Sequence, residues 1–416
     1  MLPRPTNRPQ PAAIDARGAW TVVALLWVAY SLNYIDRQAV FSIYPALRRD
    51  LGFSDAQLGL IGSIFTWTYS FSMVATGRIA DVFRVDRVIF SSLVLWSLST
   101  IGTALSGSVA VFLFWRVLMG ITESLYVPAA LRLIVAVHGS ATRSRALGIH
   151  MTAQVAGIVA GGWGGWTADR IGWRRGFIWM GLAGVIYALV LWIPFRRLPS
   201  SGGGVERAAS SPVQVLRSTP YLALVLAFFS YCVILWMVYA WLPDFLYERF
   251  GMSMAASGLT ATLYVQTSTA AGVLLGTTAA DRLATRVPLI RLFLASAGLL
   301  CAAPFAAVAL GSHSIGLLKI AATGFGLFGG CFMGVVYPDA YDLIDRKNYG
   351  FAVGVLNLLG GLGGGTAIFV AGMWKTAIGI GPLMNFAACL GVAAAGLLIM
   401  TVRLRVVPSQ SKECAT

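Results

Sequence analysis

Two neighbouring charged residues, Asp36 and Arg37, lie inside the first long apolar segment of the chain, which runs from residue 20 to residue 44. A carboxylate or a guanidinium in membrane hydrocarbon costs about 2.5–3.5 kcal/mol near the centre of a helix. A chain keeps such groups where they face a polar interior and find partners there. The sequence therefore predicts that other buried charges lie close to Asp36 and Arg37.

The fourth apolar segment supplies two such charges, Arg116 and Glu123. They are two helical turns apart, so they share one face of their helix. From the helical rise, Asp36 lies about 12 Å below the outer end of its segment, Arg116 about 9 Å and Glu123 about 20 Å. This spacing predicts two crossed ion pairs, Asp36 with Arg116 and Arg37 with Glu123.

A static structural role is one explanation of these four charges, but buried ion pairs contribute little stability because desolvation offsets their attraction. A functional role explains them better. A buried carboxylate that loses its cationic partner becomes a proton acceptor, which predicts proton coupling for Asp36 and Glu123. The planar guanidinium of Arg37 can bind a carboxylate through two parallel hydrogen bonds, which predicts an anion site there.

The composition indicates that this chain folds in a membrane and not in water. Its 416 residues are 57% hydrophobic and 11% charged, with a mean hydropathy of +0.76, whereas soluble domains carry about 25% charged residues. Apolar runs long enough to span a bilayer recur along the whole length, which predicts an all-α membrane protein. Twelve spans are predicted, at residues 18–44, 57–79, 88–106, 110–136, 147–168, 176–195, 220–246, 257–279, 288–311, 316–337, 351–374 and 381–402.

The formal net charge of +15 could indicate nucleic-acid binding, but the distribution of the charge favours another explanation. With the amino terminus in the cytoplasm, about 20 Lys and Arg residues lie in cytoplasmic segments and about 7 in external loops, as the positive-inside rule requires. Both termini are therefore predicted to be cytoplasmic. The lipid bilayer, and not nucleic acid, is the expected partner of the basic residues.

The one long connection between spans, residues 196–219, contains a Ser-Ser-Gly-Gly-Gly run and is predicted to be a flexible cytoplasmic linker. It separates two predicted six-helix bundles, residues 1–195 and 220–416. A similar charged turn follows the second span of each bundle, ending at Asp81 in the first and at Asp281 in the second. Such an echo is typical of parallel repeats in transporters.

The whole chain resembles the major facilitator superfamily, whose fold is two six-helix bundles. Gly77, Ala80 and Asp81 match the superfamily's signature Gly-x-Leu-Ala-Asp-Arg-x-Gly-Arg-Arg turn, whereas the residues after Asp81 depart from its basic part. The resemblance implies that Asp81 holds a cytoplasmic gate by facing a helix N-terminus of the other half. Gly77 and Asp281 are assigned to the same gate.

A narrower resemblance involves the charged residues. The stretch from Asn33 to Arg37 resembles the span-1 motif of the anion:cation symporters, the group of sialin and the bacterial galactonate and hexuronate carriers. Arg116 and Glu123 fit that group's span-4 motif. The resemblance implies that Asp36 and Glu123 carry protons, that Arg37 binds the carboxylate of the substrate, and that Arg116 is a charge partner.

Three further positions match that group, namely Tyr34, Tyr69 and Gln154. The resemblance implies that they hydrogen bond to a sugar acid. The lysolipid carriers of the Spinster group share the Asp-Arg pair of span 1 and the Arg and Glu of span 4, so they are the nearest rival family.

The C-terminal half has no acidic residue deep in a predicted span, so we expect it to supply hydrogen bonds and apolar walls. Gln266 in span 8 and Asn357 in span 11 are its best candidates for substrate contacts, because a carboxamide in a span needs a partner. The glycine-rich stretches of spans 10 and 11 lack the features of a phosphate loop. No cofactor, metal site or catalytic constellation is predicted, so an enzyme is not expected.

The sequence thus predicts a monomeric twelve-helix carrier in the bacterial inner membrane that moves a small organic anion, a sugar acid or another carboxylate, by alternating access. Protons are predicted to move with the anion. A carrier of lysolipids or other amphiphiles and a drug/proton antiporter are the alternatives. A membrane sensor that binds its ligand without transport is a further one.

Overall fold

The computed structural model describes residues 15–196, 215–287 and 289–413, and their regular structure is helical throughout. One short 3₁₀ turn, Arg346–Asn348, precedes the fourteenth α-helix. The described α-helices are α1 (Ala16–Ser42), α2 (Tyr44–Leu51), α3 (Asp55–Val82), α4 (Val85–Ala104), α5 (Val109–Ser124), α6 (Tyr126–Val137), α7 (Ser140–Gly161), α8 (Trp163–Arg170), α9 (Trp173–Phe195), α10 (Thr219–Phe250), α11 (Met254–Leu283), α12 (Ile290–Gly311), α13 (Ile315–Leu343), α14 (Tyr349–Ile378) and α15 (Ile380–Glu413).

The order of the long helices follows the predicted spans. We call residues 15–196 the N-terminal half and residues 215–413 the C-terminal half. The side of the bundle at which α1 begins and α9 ends is the linker side, and the opposite side is the far side. Most of the predicted linker, residues 197–214, lies outside the described residues, so the two-bundle division stays a prediction.

Within the described residues, ten helical segments are long and apolar enough to cross a membrane. Helices α7 and α11 occupy predicted spans 5 and 8 but are not among these ten. Helix α11 is rich in Ser and Thr, whose hydroxyls donate to backbone carbonyls one turn back, as Thr262 does to Gly258 and Ser268 to Tyr264. Such pairing lets a hydroxyl-rich helix lie in a bundle at low hydropathy.

Helix breaks lie close to the charged residues. Span 4 is divided at Leu125, directly after the helix that carries Arg116 and Glu123, and α6 then resumes with Pro128 in its first turn. Proline is accepted there because the first amides of a helix have no partner within it. Span 1 is similarly divided at Ile43, where the non-helical cap residue separates α1 from α2.

The two halves carry the same turn chemistry on the far side. Gly52 ends α2 and Gly251 ends α10, each with a positive φ (65° and 62°) that glycine adopts without strain. Two residues later, Ser54 and Ser253 cap the next helix by accepting a backbone N–H with the hydroxyl oxygen. This echo adds to the one that the sequence shows on the linker side.

The halves contact one another closely on the far side. A Cβ added to Gly162 would lie 2.8 Å from the carbonyl oxygen of Gly258, and one added to Gly258 would lie 2.7 Å from that of Gly162. Helices α3 and α14 approach in the same way, because a Cβ on Gly59 would lie 2.9 Å from the Ile368 oxygen. Only glycine permits these approaches. The far side of the bundle is therefore tightly sealed.

Candidate functional site

A cavity of about 660 Å³ lies between the two halves, lined by α1, α3, α6 and α7 on one side and by α10, α13 and α14 on the other. Towards the linker side its lining includes Val74, which is 66% exposed, and Tyr341. Towards the far side it ends at Gln38, whose Nε2 donates to the backbone oxygen of Tyr239 over 3.2 Å. The cavity therefore opens on the linker side, and its volume suits a small-molecule ligand.

Arg37 lies on the wall of this cavity, and Glu123 lies behind it. The Nε of Arg37 is 2.6 Å from Oε2 of Glu123, and the two side chains are 5% and 0% exposed. This contact confirms the predicted Arg37–Glu123 pair. The other carboxylate oxygen of Glu123 and Nη2 of Arg37 have no hydrogen-bond partner among the described residues. The guanidinium therefore keeps donor capacity for a second anion.

Aromatic rings surround the same guanidinium. The Cζ of Arg37 lies 4.1 Å from the ring centroid of Tyr69, 4.8 Å from that of Tyr34 and 5.2 Å from that of Phe65. Rings at this distance attract a cation through their negative faces and restrict its rotation. The arrangement holds Arg37 in place on the wall of the cavity.

The second predicted pair, Asp36 with Arg116, is wrong: it is not formed within the described part of the chain. Arg116 is fully buried with its Cζ 4.6 Å from the ring of Phe65, and its Nη1 lies 3.1 Å from Sδ of Met119. Its Nε and Nη2 have no hydrogen-bond partner among the residues that the structure describes. Asp36 lies near the hydroxyl of Thr100 on α4. The depth of a residue along a helix can be estimated from sequence, but the rotation of the helix about its axis cannot. In the structure, the rotation of α5 points Arg116 towards α3.

Five of the six residues predicted to contact substrate line the cavity. They are Arg37, Tyr34, Tyr69, Gln154 and Asn357. The sixth, Gln266, lies one layer behind and donates to the hydroxyl of Tyr239, which lines the cavity. The Oδ1 of Asn357 accepts a hydrogen bond from the hydroxyl of Tyr337 over 2.9 Å. Their part in binding stays a prediction.

A second group of charges, which the sequence analysis missed, joins the two halves on the far side. This far-side ion cluster consists of Arg48 and Asp55 from the N-terminal half and Asp244, Glu248 and Lys375 from the C-terminal half. Arg48 Nη2 lies 3.1 Å from Asp244 and Arg48 Nη1 lies 3.2 Å from Glu248, and Lys375 lies 3.5 Å from Asp55. Three ion pairs therefore cross between the halves at this one place.

Each charged side chain of the far-side ion cluster has a partner of opposite charge. Asp244 is fully buried and is paired with both Arg48 and Lys375. Burial alone would lower the pKa of Arg48, but its hydrogen bonds to Asp244 and Asp55 outweigh burial and hold that pKa above its ordinary value. The cluster could not be recognised from sequence because each member lies at a span end, where charged side chains usually reach water.

Comparisons with known proteins place the chain in a family. Residues 26–368 match the profile of the Major Facilitator Superfamily. The chain belongs to that superfamily. It is a multi-pass membrane transporter of all-α fold and not an enzyme.

Curated relatives of this superfamily transporter include carriers of sugar acids. A probable galactarate/D-glucarate transporter of Bacillus subtilis is 27% identical over 64% of this chain and 66% of the relative, just under two thirds of its length. A hexuronate transporter of Bacillus subtilis is 25% identical over 82% of this chain and 85% of the relative. A D-galactonate transporter of Escherichia coli is 21% identical over 95% and 98%.

A solved structure confirms the superfamily fold. The crystal structure of a bacterial homolog of the human lysosomal transporter Spinster, in an inward-facing and occupied conformation, matches with a TM-score of 0.82. The match covers 94% of this chain and 98% of that one at 21% sequence identity. At this identity the likeness establishes the fold, and the function has to be argued from the site.

The turns that resemble the superfamily's gate lie on the linker side. Gly77 and Asp81 belong to α3, but the surroundings of Gly77 and the side chain of Asp81 lie outside what the structure describes. Asp281 is exposed, and its Oδ1 lies 3.6 Å from Arg291, which also pairs with Asp342 over 2.6 Å. These three residues belong to the C-terminal half. The gate assignment of Gly77, Asp81 and Asp281 stays a prediction.

Two acidic residues of the C-terminal half are buried within the protein near the ends of predicted spans 7 and 10. The expectation that this half has no acidic residue deep in a span stays a prediction. Asp244 is fully buried and Asp339 is 1% exposed. Both helices run further than predicted, to Phe250 and Leu343, so these carboxylates lie within helices and not at their ends. Oδ2 of Asp339 has no hydrogen-bond partner among the described residues.

Several cavity residues were not singled out from sequence. They include Tyr30, Gln38, Met333, Tyr337 and Tyr341. A signal for the last three was present, because they are spaced four residues apart and so share one face of α13. Gln38 had a signal as well, since a carboxamide in an apolar segment beside Arg37 needs a partner.

Proposed function

We propose that this protein is a secondary active transporter that moves a small organic anion together with protons by alternating access. The single observation that supports this most is the Arg37–Glu123 pair at the wall of the cavity. A guanidinium with a free donor, held by aromatic rings and backed by a buried carboxylate, suits exchange of one carboxylate for another. The names of the sugar-acid relatives support an organic anion as substrate.

Coupling follows from local chemistry at this pair. A substrate carboxylate that binds Arg37 competes with Glu123 for the same guanidinium. Glu123, which is fully buried, then loses its partner and binds a proton, since an unpaired carboxylate is unfavourable in a buried site. Substrate and proton therefore strengthen each other's binding, and this coupling is reciprocal. Asp36, one residue before Arg37 and also buried, is assigned as a second proton carrier.

The far-side ion cluster and the glycine contacts close one entrance, while the cavity reaches the linker side. We assign the linker side to the cytoplasm, because most Lys and Arg residues lie in the segments on that side. The described conformation is then open to the cytoplasm. We assign the protein to the bacterial inner membrane as a monomer that takes up its substrate.

The experiment that tests this function is uptake of labelled sugar acids and small carboxylates into proteoliposomes. Each acid is measured with no gradient, with an inward pH gradient and with an inward sodium gradient. We expect the pH gradient alone to stimulate uptake of at least one acid. Stimulation by sodium instead would remove the proton from the proposal. No uptake of any acid by folded protein would refute anion transport, and lysolipids would then be tested.

A further inference from the structure

The cavity has a charge and polarity that narrow the class of substrate. We infer that the preferred substrate is an acid with a single carboxylate and a weakly hydroxylated, aryl or alkyl body. Aldaric acids with two carboxylates and sugar acids with several hydroxyls would bind less well. This inference rests on the proposed function, because it concerns the same cavity.

The number of cations in the cavity sets the number of carboxylates that it can hold. Of the described side chains that line the cavity, Arg37 alone is charged. Arg116 is fully buried, stacks against Phe65 and is not among the lining residues. A second carboxylate that moved from water into the cavity would find no cationic partner there, which is unfavourable. An acid with one carboxylate avoids this cost.

Several hydrogen-bond donors of the lining are committed within the protein. The hydroxyl of Thr66 donates to Gly62 over 3.0 Å, and that of Ser70 donates to Thr66 over 2.8 Å. The hydroxyl of Tyr337 donates to Asn357 over 2.9 Å.

Two carboxamides of the lining also donate hydrogen bonds within the protein. Nδ2 of Asn357 donates to the Val353 carbonyl over 3.0 Å, and Nε2 of Gln38 donates to Tyr239. A polyol that enters the cavity has to replace the hydrogen bonds that its hydroxyls make in water. The committed donors cannot supply these replacements, which leaves other lining side chains, such as Tyr34, Tyr69 and Gln154, for a few hydroxyls.

Most of the other side chains of the lining are apolar. Phe228, Leu235, Trp236 and Met333 face the cavity from the C-terminal half, and Phe65 does so from the N-terminal half. Burial of an aryl or alkyl body against these side chains is favourable in proportion to the area removed from water. Aromatic walls also suit a ring, since aromatic pairs gain further from offset stacking. One cation at one end and apolar walls elsewhere match an amphipathic monocarboxylate.

The test uses four acids that vary the two properties separately. D-galactonate and galactarate carry hydroxyls with one and two carboxylates, and hydrocinnamate and phenylsuccinate carry a phenyl ring with one and two carboxylates. Affinity is measured on the purified protein by quenching of tryptophan fluorescence, and proton-driven uptake is measured in proteoliposomes. We expect hydrocinnamate to bind about tenfold more tightly than either D-galactonate or phenylsuccinate.

A variant tests the cation count directly. Asn357→Arg places a second guanidinium on the cavity wall that the C-terminal half supplies, and Asn357→Gln is its matched control. We expect the arginine variant to raise the affinity for phenylsuccinate relative to hydrocinnamate by about tenfold, and the control to leave the ratio unchanged. Val353→Lys, one turn away on the same helix, is used with Val353→Met if Asn357→Arg does not fold.

The outcomes separate the two proposals. Proton-driven uptake with galactarate or D-galactonate as the tightest ligand would overturn the inference and leave the proposed function standing. A ratio that the added cation does not change would also overturn it. Absence of gradient-driven uptake for all four acids, in protein that still binds one of them, would instead count against the proposed function.

Discussion

Two groups of charged residues distinguish the middle of this molecule from its far side. The charged quartet, Asp36, Arg37, Arg116 and Glu123, lies within the N-terminal half and forms one ion pair among the described residues. Four of its polar atoms have no hydrogen-bond partner in the described part of the chain. Each such atom costs about 1–3 kcal/mol when it is buried. The quartet is therefore a site that gains stability when a ligand or a proton arrives.

The far-side ion cluster has the opposite design. Its five members come from both halves, and Arg48 and Lys375 each contact more than one carboxylate. Its charges are already paired and so need no ligand, but the ion pairs between the halves break when the halves separate. The comparison suggests a division of labour, in which the quartet senses substrate and proton and the cluster stabilises one conformation. Variants of each group test that division.

The largest effect is expected at Arg37. Arg37→Lys replaces a planar fork by a point charge that cannot pair with Glu123 and bind a carboxylate at the same time. We expect substrate affinity to fall by about 100-fold, the equivalent of one or two charge-assisted hydrogen bonds. Equilibrium binding and initial uptake rates provide the measurement. Thermal unfolding shows whether the variant is folded.

Arg145→Lys is the matched control for that variant. Arg145 also lies over an aromatic ring, 5.7 Å from the centroid of Trp20, but it is not among the residues lining the cavity. Its substitution should leave binding and uptake within about twofold of the wild type. Equal losses in the two variants would show that cation–π packing matters and that Arg37 has no special role in anion binding.

The next effect is expected at the two carboxylates of the quartet. Glu123→Gln and Asp36→Asn remove the groups proposed to carry protons. One pH unit drives about tenfold accumulation for each proton that moves with the substrate. We expect gradient-driven accumulation to disappear in both variants, while exchange of labelled for unlabelled substrate continues. Uptake and counterflow in the same proteoliposomes give the two readouts.

Asp339→Asn sharpens that comparison, because Asp339 is also a buried carboxylate within a span but lies in the C-terminal half away from Arg37. It should keep gradient-driven accumulation. Normal coupled uptake in both quartet variants would disprove their role as proton carriers. Loss of coupling in Asp339→Asn alone would move proton binding to the C-terminal half.

The quartet was largely predictable from sequence, and the far-side ion cluster was not. Charges inside long apolar segments are conspicuous, and helical rise gives their depth, so Arg37 and Glu123 could be paired. The orientation of Arg116 could not be obtained, because it depends on how α5 is rotated against α3. A resemblance to known carriers pointed to Tyr34 and the other lining residues but carried no geometry.

Span ends account for most of the remaining differences. Apolar patterns place helices well but leave their ends uncertain by several residues, and charged side chains concentrate at those ends. Asp244 lies two residues before the end of predicted span 7 and Asp339 two residues beyond the end of predicted span 10, whereas α10 and α13 continue past them. Lys375 and Arg48 are far apart in the chain, and only packing of α14 against the N-terminal half brings them to one carboxylate.

The smallest effect is expected at the far-side ion cluster. Lys375→Met removes the cation that links Asp244 and Glu248 to Asp55 across the halves. Because the cluster is partly exposed, the loss should shift the balance between conformations by about fivefold and no more. A cysteine at Ile368, which is buried in the seam between α3 and α14, reports this shift through labelling by an impermeant thiol reagent.

The labelling is carried out from the far side in protein whose native cysteines are replaced by serine. Asp50→Asn is the matched control, because Asp50 lies on the same side but pairs with Arg49 and Trp173 within its own half. We expect faster labelling in Lys375→Met and an unchanged rate in Asp50→Asn. Equal rates in both variants would mean that the glycine contacts alone close the far side, and the cluster would then have no part in holding this conformation.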